Sequence, residues 1–315
     1  MNFRKSDLMA EIKTPLLSLS ILMLVATLVF FILHLIDPML VSESPRWIKP
    51  IKFTLSIGIY SITLYWILRQ FPLQNRKVTL IVWGITLCLF FEIIAIGGQA
   101  ARGVSSHFNV STPFNATVFS LMGLGIGTMW FLHLMITLFI FKENVSNRLL
   151  KETILWGMGI SAIGMITGFL MTMPKPEQIE LFAKGIVLTS GSHSFGTPIP
   201  GQEIPLLGWS KSAGDMRVPH FFGIHAFQFF ILVYLIRSNI AKEKQISKYT
   251  LLGLRLIGLS YLSVTILLVL QTYIGFSIFQ TNIFFLSMYL IFGVLAILGM
   301  ILMCNKIKQQ QLVWT

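Results

Sequence analysis

Charged residues are scarce in this chain, because Asp, Glu, Lys and Arg make up only 11% of its 315 residues. A soluble globular protein carries about 25% charged residues, so these charges are too few to cover a water-facing surface. A soluble enzyme is therefore excluded. The hydrophobic content of 55% excludes a disordered chain, and two cysteines are too few for a disulfide scaffold. The composition indicates a polytopic membrane protein.

Long apolar stretches are abundant, and a helix that crosses the hydrocarbon core of a bilayer needs roughly 20 mostly apolar residues. Eight such spans, numbered here in chain order, lie near residues 15–36, 51–70, 78–98, 113–141, 153–173, 219–239, 251–273 and 281–304. We predict an all-α bundle of about eight transmembrane helices, with seven as the alternative. The bundle forms a single transmembrane domain over residues 1–315.

Acidic residues number 12 against 24 basic ones, and the basic residues orient the bundle. With the N-terminus inside, fifteen Lys and Arg fall in inner segments and eight in outer segments. This bias predicts that both termini are cytoplasmic. The net charge of +12 follows from the same bias and from contact with anionic membrane lipids, so no nucleic acid partner is expected.

One connection is long, the outer segment 174–218, which is rich in glycine and proline. Loops of this length are often lids or binding loops, so we expect it to cap the bundle. Residues 177–187 alternate charged and apolar side chains at helical spacing. That pattern predicts a short helix lying at the membrane surface.

Cations cluster where helices begin on the outer face. Lys49 and Lys52 flank the start of span two, Arg217 precedes span six, and Arg102 ends span three. Helix N-termini carry partial positive charge and unpaired N–H groups, so the combination favours an anion site. The alternative is that the lysines extend toward lipid head groups.

Prolines are predicted at the first helical position of three spans: Pro50, Pro113 and Pro219.

Span three carries a polar stripe of Glu92, Gln99 and Arg102, spaced so that all three share one helix face. A lone carboxylate in lipid is costly, so Glu92 must be protonated or partnered. Glu92 is thus a candidate proton acceptor, general base or ligand. The alternative is a hydrogen bond between helices.

Other polar residues occur at a similar depth in the outer half of the membrane, and we predict that spans one, two, three and six form one outward-facing polar site. The site would bind an anionic amphiphile, a lipid phosphate or a carboxylate, with acid–base chemistry by histidine and glutamate. Its candidate catalytic residues are Glu92, His220 and His225. Its candidate ligand-binding residues are Lys49, Lys52, Gln99, Arg102, His107, Arg217 and Gln228.

Two alternatives stay open. A haem- or quinone-linked redox protein would use His34, His220 or His225, although no pair lies on facing helices at matching depth. A proton-coupled transporter could use Glu92, but the inner halves of the spans have few polar residues. His220 and His225 are five residues apart, about 140° around a helix, so they form no joint metal site. We assign no metal and no cofactor.

Spans four and five are predicted to serve as packing elements. Gly123-x-x-x-Gly127 and Gly164-x-x-x-Gly168 would let neighbouring helix backbones approach closely. His133 lies near the inner end of span four, away from the polar site. We expect it to make a hydrogen bond to another helix.

Three strings carry a resemblance: RWIKPIKF at 46–53, RGVSSHFN at 102–109 and GDMRVPHFFGIHAFQ at 214–228. With the general hydropathy, they resemble a family of bacterial multi-pass inner-membrane proteins that has no assigned activity. The resemblance implies a location in the bacterial inner membrane, and it transfers no catalytic roles.

Overall fold

The computed structural model describes residues 5–41, 44–73, 75–199, 202–205, 207–240 and 247–304. The helices in these ranges are α1 Lys5–Ile36, α2 Ile48–Leu68, α3 Arg76–Ala101, α4 Pro113–Lys142, α5 Arg148–Thr172, α6 Pro176–Ala183, α7 Arg217–Ile240, α8 Lys248–Tyr273 and α9 Ile283–Cys304. Two short antiparallel pairs accompany them, β1 Leu40–Val41 with β2 Ser44–Pro45 and β3 Ser194–Phe195 with β4 Gly214–Asp215.

Eight helical segments of the described chain are long and apolar enough to cross a membrane. They coincide with the eight predicted spans, and the fifth segment covers α5 together with α6. The chain is therefore a multi-pass membrane protein built as an all-α bundle. The short helix predicted within 177–187 is present as α6, whereas the orientation of the termini stays a prediction.

The chain divides into two compact units. Unit 1 contains Met1–Val145 and Phe169–Ser192, and unit 2 contains Ser146–Gly168 and His193–Thr315. Helices α1 to α4 belong to unit 1, and α7 to α9 belong to unit 2. The connection 174–218 is divided between them after Ser192, and its role as a cap stays a prediction.

Unit 1 is held by helix contacts that use both small and polar side chains. Helix α1 packs along α2, where the Ser20 hydroxyl donates to the Gly58 carbonyl oxygen at 3.2 Å. The Thr27 and Thr54 hydroxyls lie 2.7 Å apart across the same contact. These bonds satisfy polar groups that lipid cannot solvate, so they fix how the two helices align.

A second polar contact joins α2 to α4. The Tyr60 hydroxyl lies 2.9 Å from Nδ1 of His133, whose side chain is fully buried. The predicted interhelical hydrogen bond of His133 is confirmed.

Replacing Tyr60 with phenylalanine is expected to lower the stability of unit 1 by about 0.5–1.5 kcal/mol, because the buried His133 loses a partner. Thermal unfolding of the purified protein in detergent would measure this. Tyr65→Phe is the matched control on the same helix, since the ring under the Arg69 guanidinium is kept. Equal unfolding midpoints for the two variants would contradict the role of the bond.

Unit 2 contains a close backbone approach between α5 and α7. A Cβ atom added to Gly164 on α5 would lie 2.6 Å from Cα of Gly223 on α7. This confirms the predicted close approach at Gly164. The prediction was wrong for Gly123, because no described atom lies within 4 Å of an added Cβ there. Small residues permit close packing, but only a facing helix makes use of it.

The helix starts differ in part from the prediction. Helix α4 begins at Pro113, and the Thr112 hydroxyl accepts from the Asn115 N–H at 3.2 Å as its N-cap. Helices α2 and α7 begin two residues earlier than predicted, so Pro50 and Pro219 are their third residues. The N–H groups of a first helical turn have no intrahelical acceptor, so proline fits anywhere in that turn.

Candidate functional site

In unit 1, the end of α3 and the start of α4 hold an arginine between two amide side chains. Nη1 of Arg102 donates to Oδ1 of Asn115 at 2.9 Å and to Oε1 of Gln99. The guanidinium also lies over the Phe114 ring, 4.5 Å from its centroid. We call Gln99, Arg102, Phe114 and Asn115 the Arg102 clamp.

The amides of the clamp are themselves fixed. Nε2 of Gln99 donates to Oδ1 of Asn115 at 3.2 Å, and Nδ2 of Asn115 donates to the Ser111 hydroxyl at 3.3 Å. Gln99 and Asn115 are both buried. Sequence reasoning missed Asn115. Its position three residues after the Thr112 cap places it in the first turn of α4, which was the available signal. Arg102 is thus held by buried groups whose geometry is set in advance.

In the described part of the chain, no carboxylate pairs with the positive charge of Arg102. Among the described residues, no Asp or Glu oxygen forms an ion pair with it, and its Nε–Nη2 edge donates to no protein acceptor. An N–H edge of this kind matches the two oxygens of a phosphate or carboxylate. Other described arginines do meet carboxylates: Arg46 with Asp37, Arg148 and Arg255 with Glu152, and Arg217 with Asp215.

Glu92 lies deeper on α3 and meets a histidine from the following loop. Its side chain is only 3% exposed, and its Oε1 is 3.7 Å from Nε2 of His107. Nδ1 of His107 lies 3.1 Å from the Ser106 hydroxyl. The rings of Phe53 and Phe119 contact the imidazole. The structure therefore brings two predicted site residues together in an apolar surrounding.

Lys49, in the first turn of α2, acts electrostatically on both Glu92 and His107. Burial, together with the positive charge of Lys49, holds the pKa of His107 well below its usual value. The imidazole is therefore neutral at pH 7. Lys52 is exposed one turn further along the helix.

The loop that carries His107 is held in an unusual conformation. Phe108 has φ of +63°, which a non-glycine residue rarely adopts. Its carbonyl oxygen accepts from the Ser190 N–H at 2.9 Å, and Asn109 forms a β-bridge with Thr189. Strain of this kind persists where surrounding contacts enforce it, and it is frequent at functional sites.

In unit 2, Arg217 is paired within its own chain segment. Its Nε donates to Oδ1 of Asp215 at 2.9 Å, and its Nη2 donates to Oδ2 at 2.6 Å. Burial raises the pKa of Asp215, but the hydrogen bonds and charge of Arg217, with the charge of His193, hold it below its usual value. Sequence reasoning missed this pair, although the two residues stand two positions apart.

The predicted histidines of α7 have fixed ring orientations. Nδ1 of His220 donates to the Gly164 carbonyl oxygen at 3.0 Å. Nδ1 of His225 lies 3.1 Å from Oε1 of Gln228, which also accepts. Both rings therefore carry the proton on Nδ1 when neutral. His220 ties α7 to α5, which gives it a structural role beside the predicted chemical one.

The remaining predicted features concern cofactors and the extent of the site. Within the described ranges, no three His, Cys, Asp or Glu side chains come together as metal ligands. Gln99, Arg102, Glu92, His107 and Lys49 are grouped within unit 1. The N-terminal half of α7 in unit 2 carries Arg217, His220, His225 and Gln228. A single site made from both groups stays a prediction.

Comparisons with protein-family models, with curated proteins and with solved structures find no match to this chain. Function must therefore be argued from the chemistry of the site itself. The inner-membrane location implied by the sequence resemblance remains a prediction.

Proposed function

We propose that this multi-pass membrane protein binds the anionic head group of an amphiphile at the Arg102 clamp. The observation that carries the proposal is the Nε–Nη2 edge of Arg102, which faces no acceptor among the described residues while Nη1 is held by two amide oxygens. The edge offers a pair of parallel donors to a phosphate diester or a carboxylate. Because the amides fix the guanidinium beforehand, little side-chain entropy is lost when the anion binds.

The position of the clamp supports an amphiphile as the ligand. Arg102 follows the last residue of α3, and Phe114 and Asn115 lie in the first turn of α4, so the clamp lies where two spans end. A lipid head group occupies the same level of a membrane, and its tails lie along the apolar spans. The N-terminus of α4 adds partial positive charge.

Of the other cations predicted to bind the anion, we keep Lys49 and Lys52 and leave out Arg217. Lys49 and Lys52 lie in the first two turns of α2 and add positive potential at this end of unit 1. Arg217 is left out, because Asp215 already neutralises it. The charge bias of the loops supports placing the clamp on the outer side of the membrane. The sequence resemblance supports the bacterial inner membrane.

The test is the affinity of the detergent-purified protein for short-chain phosphatidylglycerol, measured by native mass spectrometry and calorimetry. Arg102→Gln is expected to weaken binding about tenfold to a hundredfold, because a charge-assisted bidentate contact is lost. Arg102→Lys is expected to recover only part of the affinity, since an ammonium group cannot offer two parallel donors.

Arg76→Gln is the matched control, because Arg76 lies on the same helix at its opposite end. It should bind phosphatidylglycerol like the wild type, and unfolding midpoints should show that all variants are folded. Equal affinity of wild type and Arg102→Gln would overturn the proposal. Inorganic phosphate binding as tightly as the lipid would overturn the amphiphile and leave a free anion as the ligand.

A further inference from the structure

The exposed face of α7 carries a polar pair between apolar side chains. Phe221, His225, Gln228 and Leu232 follow one another at intervals of four, three and four residues, so they share one helix face. The side chains of Phe221 and Leu232 are 45% and 55% exposed, and His225 is partly exposed between them. Ionisable residues in a membrane span almost always face the interior of the bundle. An accessible histidine on an apolar face therefore indicates a ligand that arrives through the membrane.

We propose that Nε2 of His225 accepts a hydrogen bond from the ring hydroxyl of a lipid-soluble quinol. The inference does not depend on the proposed function, because His225 belongs to unit 2 and the Arg102 clamp belongs to unit 1. It concerns binding alone, and the quinol leaves the site unchanged.

The hydrogen bonds of His225 require a ligand that donates. Nδ1 of the imidazole donates to Oε1 of Gln228 at 3.1 Å, so the neutral ring keeps an unprotonated Nε2. Among the described residues, no group donates a hydrogen bond to that nitrogen. His225 lies about 12 Å along the helix axis from Arg217, at the level of the hydrocarbon core. Phospholipid tails and ester carbonyls offer no donor at this level, whereas a quinol carries hydroxyl groups on an apolar body.

Aromatic rings beside His225 favour a planar ligand. The ring centroid of Phe221 lies 4.2 Å from that of the imidazole, and the Trp209 ring packs edge-on against Phe221 with 5.6 Å between centroids. Tilted and edge-to-face contacts of this kind are favourable between aromatic rings. The exposed side of Phe221 can therefore receive the quinol ring next to the nitrogen that binds its hydroxyl. The isoprenoid tail can then extend along Leu232.

The loop that supplies Trp209 is held on both sides of this residue. Nη2 of Arg217 donates to the Gly208 carbonyl oxygen, and Oδ2 of Asp215 accepts from the Ser210 N–H at 3.0 Å. The ion pair of Arg217 with Asp215 thus fixes the residues before and after Trp209. Because this aromatic wall is formed before the ligand arrives, little entropy is lost in ordering it.

The test compares decylubiquinol with decylubiquinone, because the two share a ring and a tail but only the quinol has hydroxyl donors. Binding to the detergent-purified protein is measured anaerobically by native mass spectrometry at about pH 8, where a free imidazole is neutral. The wild type should bind the quinol about threefold to tenfold more tightly than the quinone, because one hydrogen bond is gained. His225→Phe should remove this preference while it keeps a ring against Phe221.

Leu235→Ala is the matched control, because Leu235 is exposed on the same helix ten residues beyond His225. It should keep the preference of the wild type. Phe221→Ala should weaken the binding of both forms by a similar factor, since it removes a ring contact and no hydrogen bond. Unfolding midpoints should show that all variants are folded. Equal binding of quinol and quinone by the wild type, no binding of either form, or an unchanged preference in His225→Phe would overturn the proposal.

Discussion

Gly164→Ala is expected to destabilise unit 2 by about 1–3 kcal/mol, or more if α5 and α7 separate. The added Cβ would lie 2.5 Å from the Gly223 carbonyl carbon and 2.6 Å from the Ile224 nitrogen. Backbone atoms cannot rotate away as a side chain can, so the two helices must move apart. The packing around the contact, including the bond from His220 to the Gly164 carbonyl, would be lost with it.

Gly159→Ala is the matched control, because Gly159 lies on the same helix and has no described atom within 4 Å of an added Cβ. Alanine favours a helix over glycine, so this variant should be as stable as the wild type or more stable. Gly223→Ala should reproduce the loss from the other side of the contact. Thermal unfolding in detergent would compare all three, and equal midpoints for Gly164→Ala and Gly159→Ala would refute the close approach.

Asp215→Asn is expected to cost about 2–4 kcal/mol at neutral pH, because a buried carboxylate that compensates a charge is replaced by a neutral amide. The carboxylate accepts from the backbone N–H groups of Ser210 and Arg217 and from the Arg217 guanidinium. The amide cannot satisfy all of these donors. The partly exposed position of Arg217 keeps the loss below that of a fully buried pair.

The pH dependence of this effect has a definite sign. The pKa of Asp215 in the folded protein is below its usual value of 3.8, so its stabilisation is complete above that value and is lost as the pH falls through the folded pKa. The gap between wild type and Asp215→Asn should therefore close in acid. In a double-mutant cycle with Arg217→Ala, the double variant should lose less stability than the two single variants lose together. A gap that stays constant down to strong acid would contradict the pairing.

The eight spans and α6 were predictable because hydropathy and helical spacing are local properties of a sequence. A helix start is less local, as Pro50 shows: proline fits several positions in a first turn, so the boundary shifted by two residues. The two glycine motifs show a stronger limit. Gly164 and Gly123 have the same spacing pattern, but only Gly164 meets a facing backbone.

The candidate site was predictable in its residue types and not in its pairings. Gln99 and Arg102 share a helix face, so their contact follows from helical geometry. The contact of Glu92 with His107 depends on the path of the loop after α3, including the positive φ of Phe108. No local pattern encodes that path. The burial of Asn115 against Arg102 likewise depends on how α4 packs beside α3.

In the Arg102 clamp, a change of one side-chain atom would be enough to neutralise the arginine. Gln99 and Asn115 hold the guanidinium through amide oxygens, and glutamate and aspartate have nearly the same shapes. Exchanging either amide nitrogen for oxygen would place a permanent anion inside the clamp, because the new carboxylate would neutralise Arg102 without any ligand. Gln99→Glu and Asn115→Asp would therefore abolish the proposed anion binding, although neither substitution changes the size of the side chain.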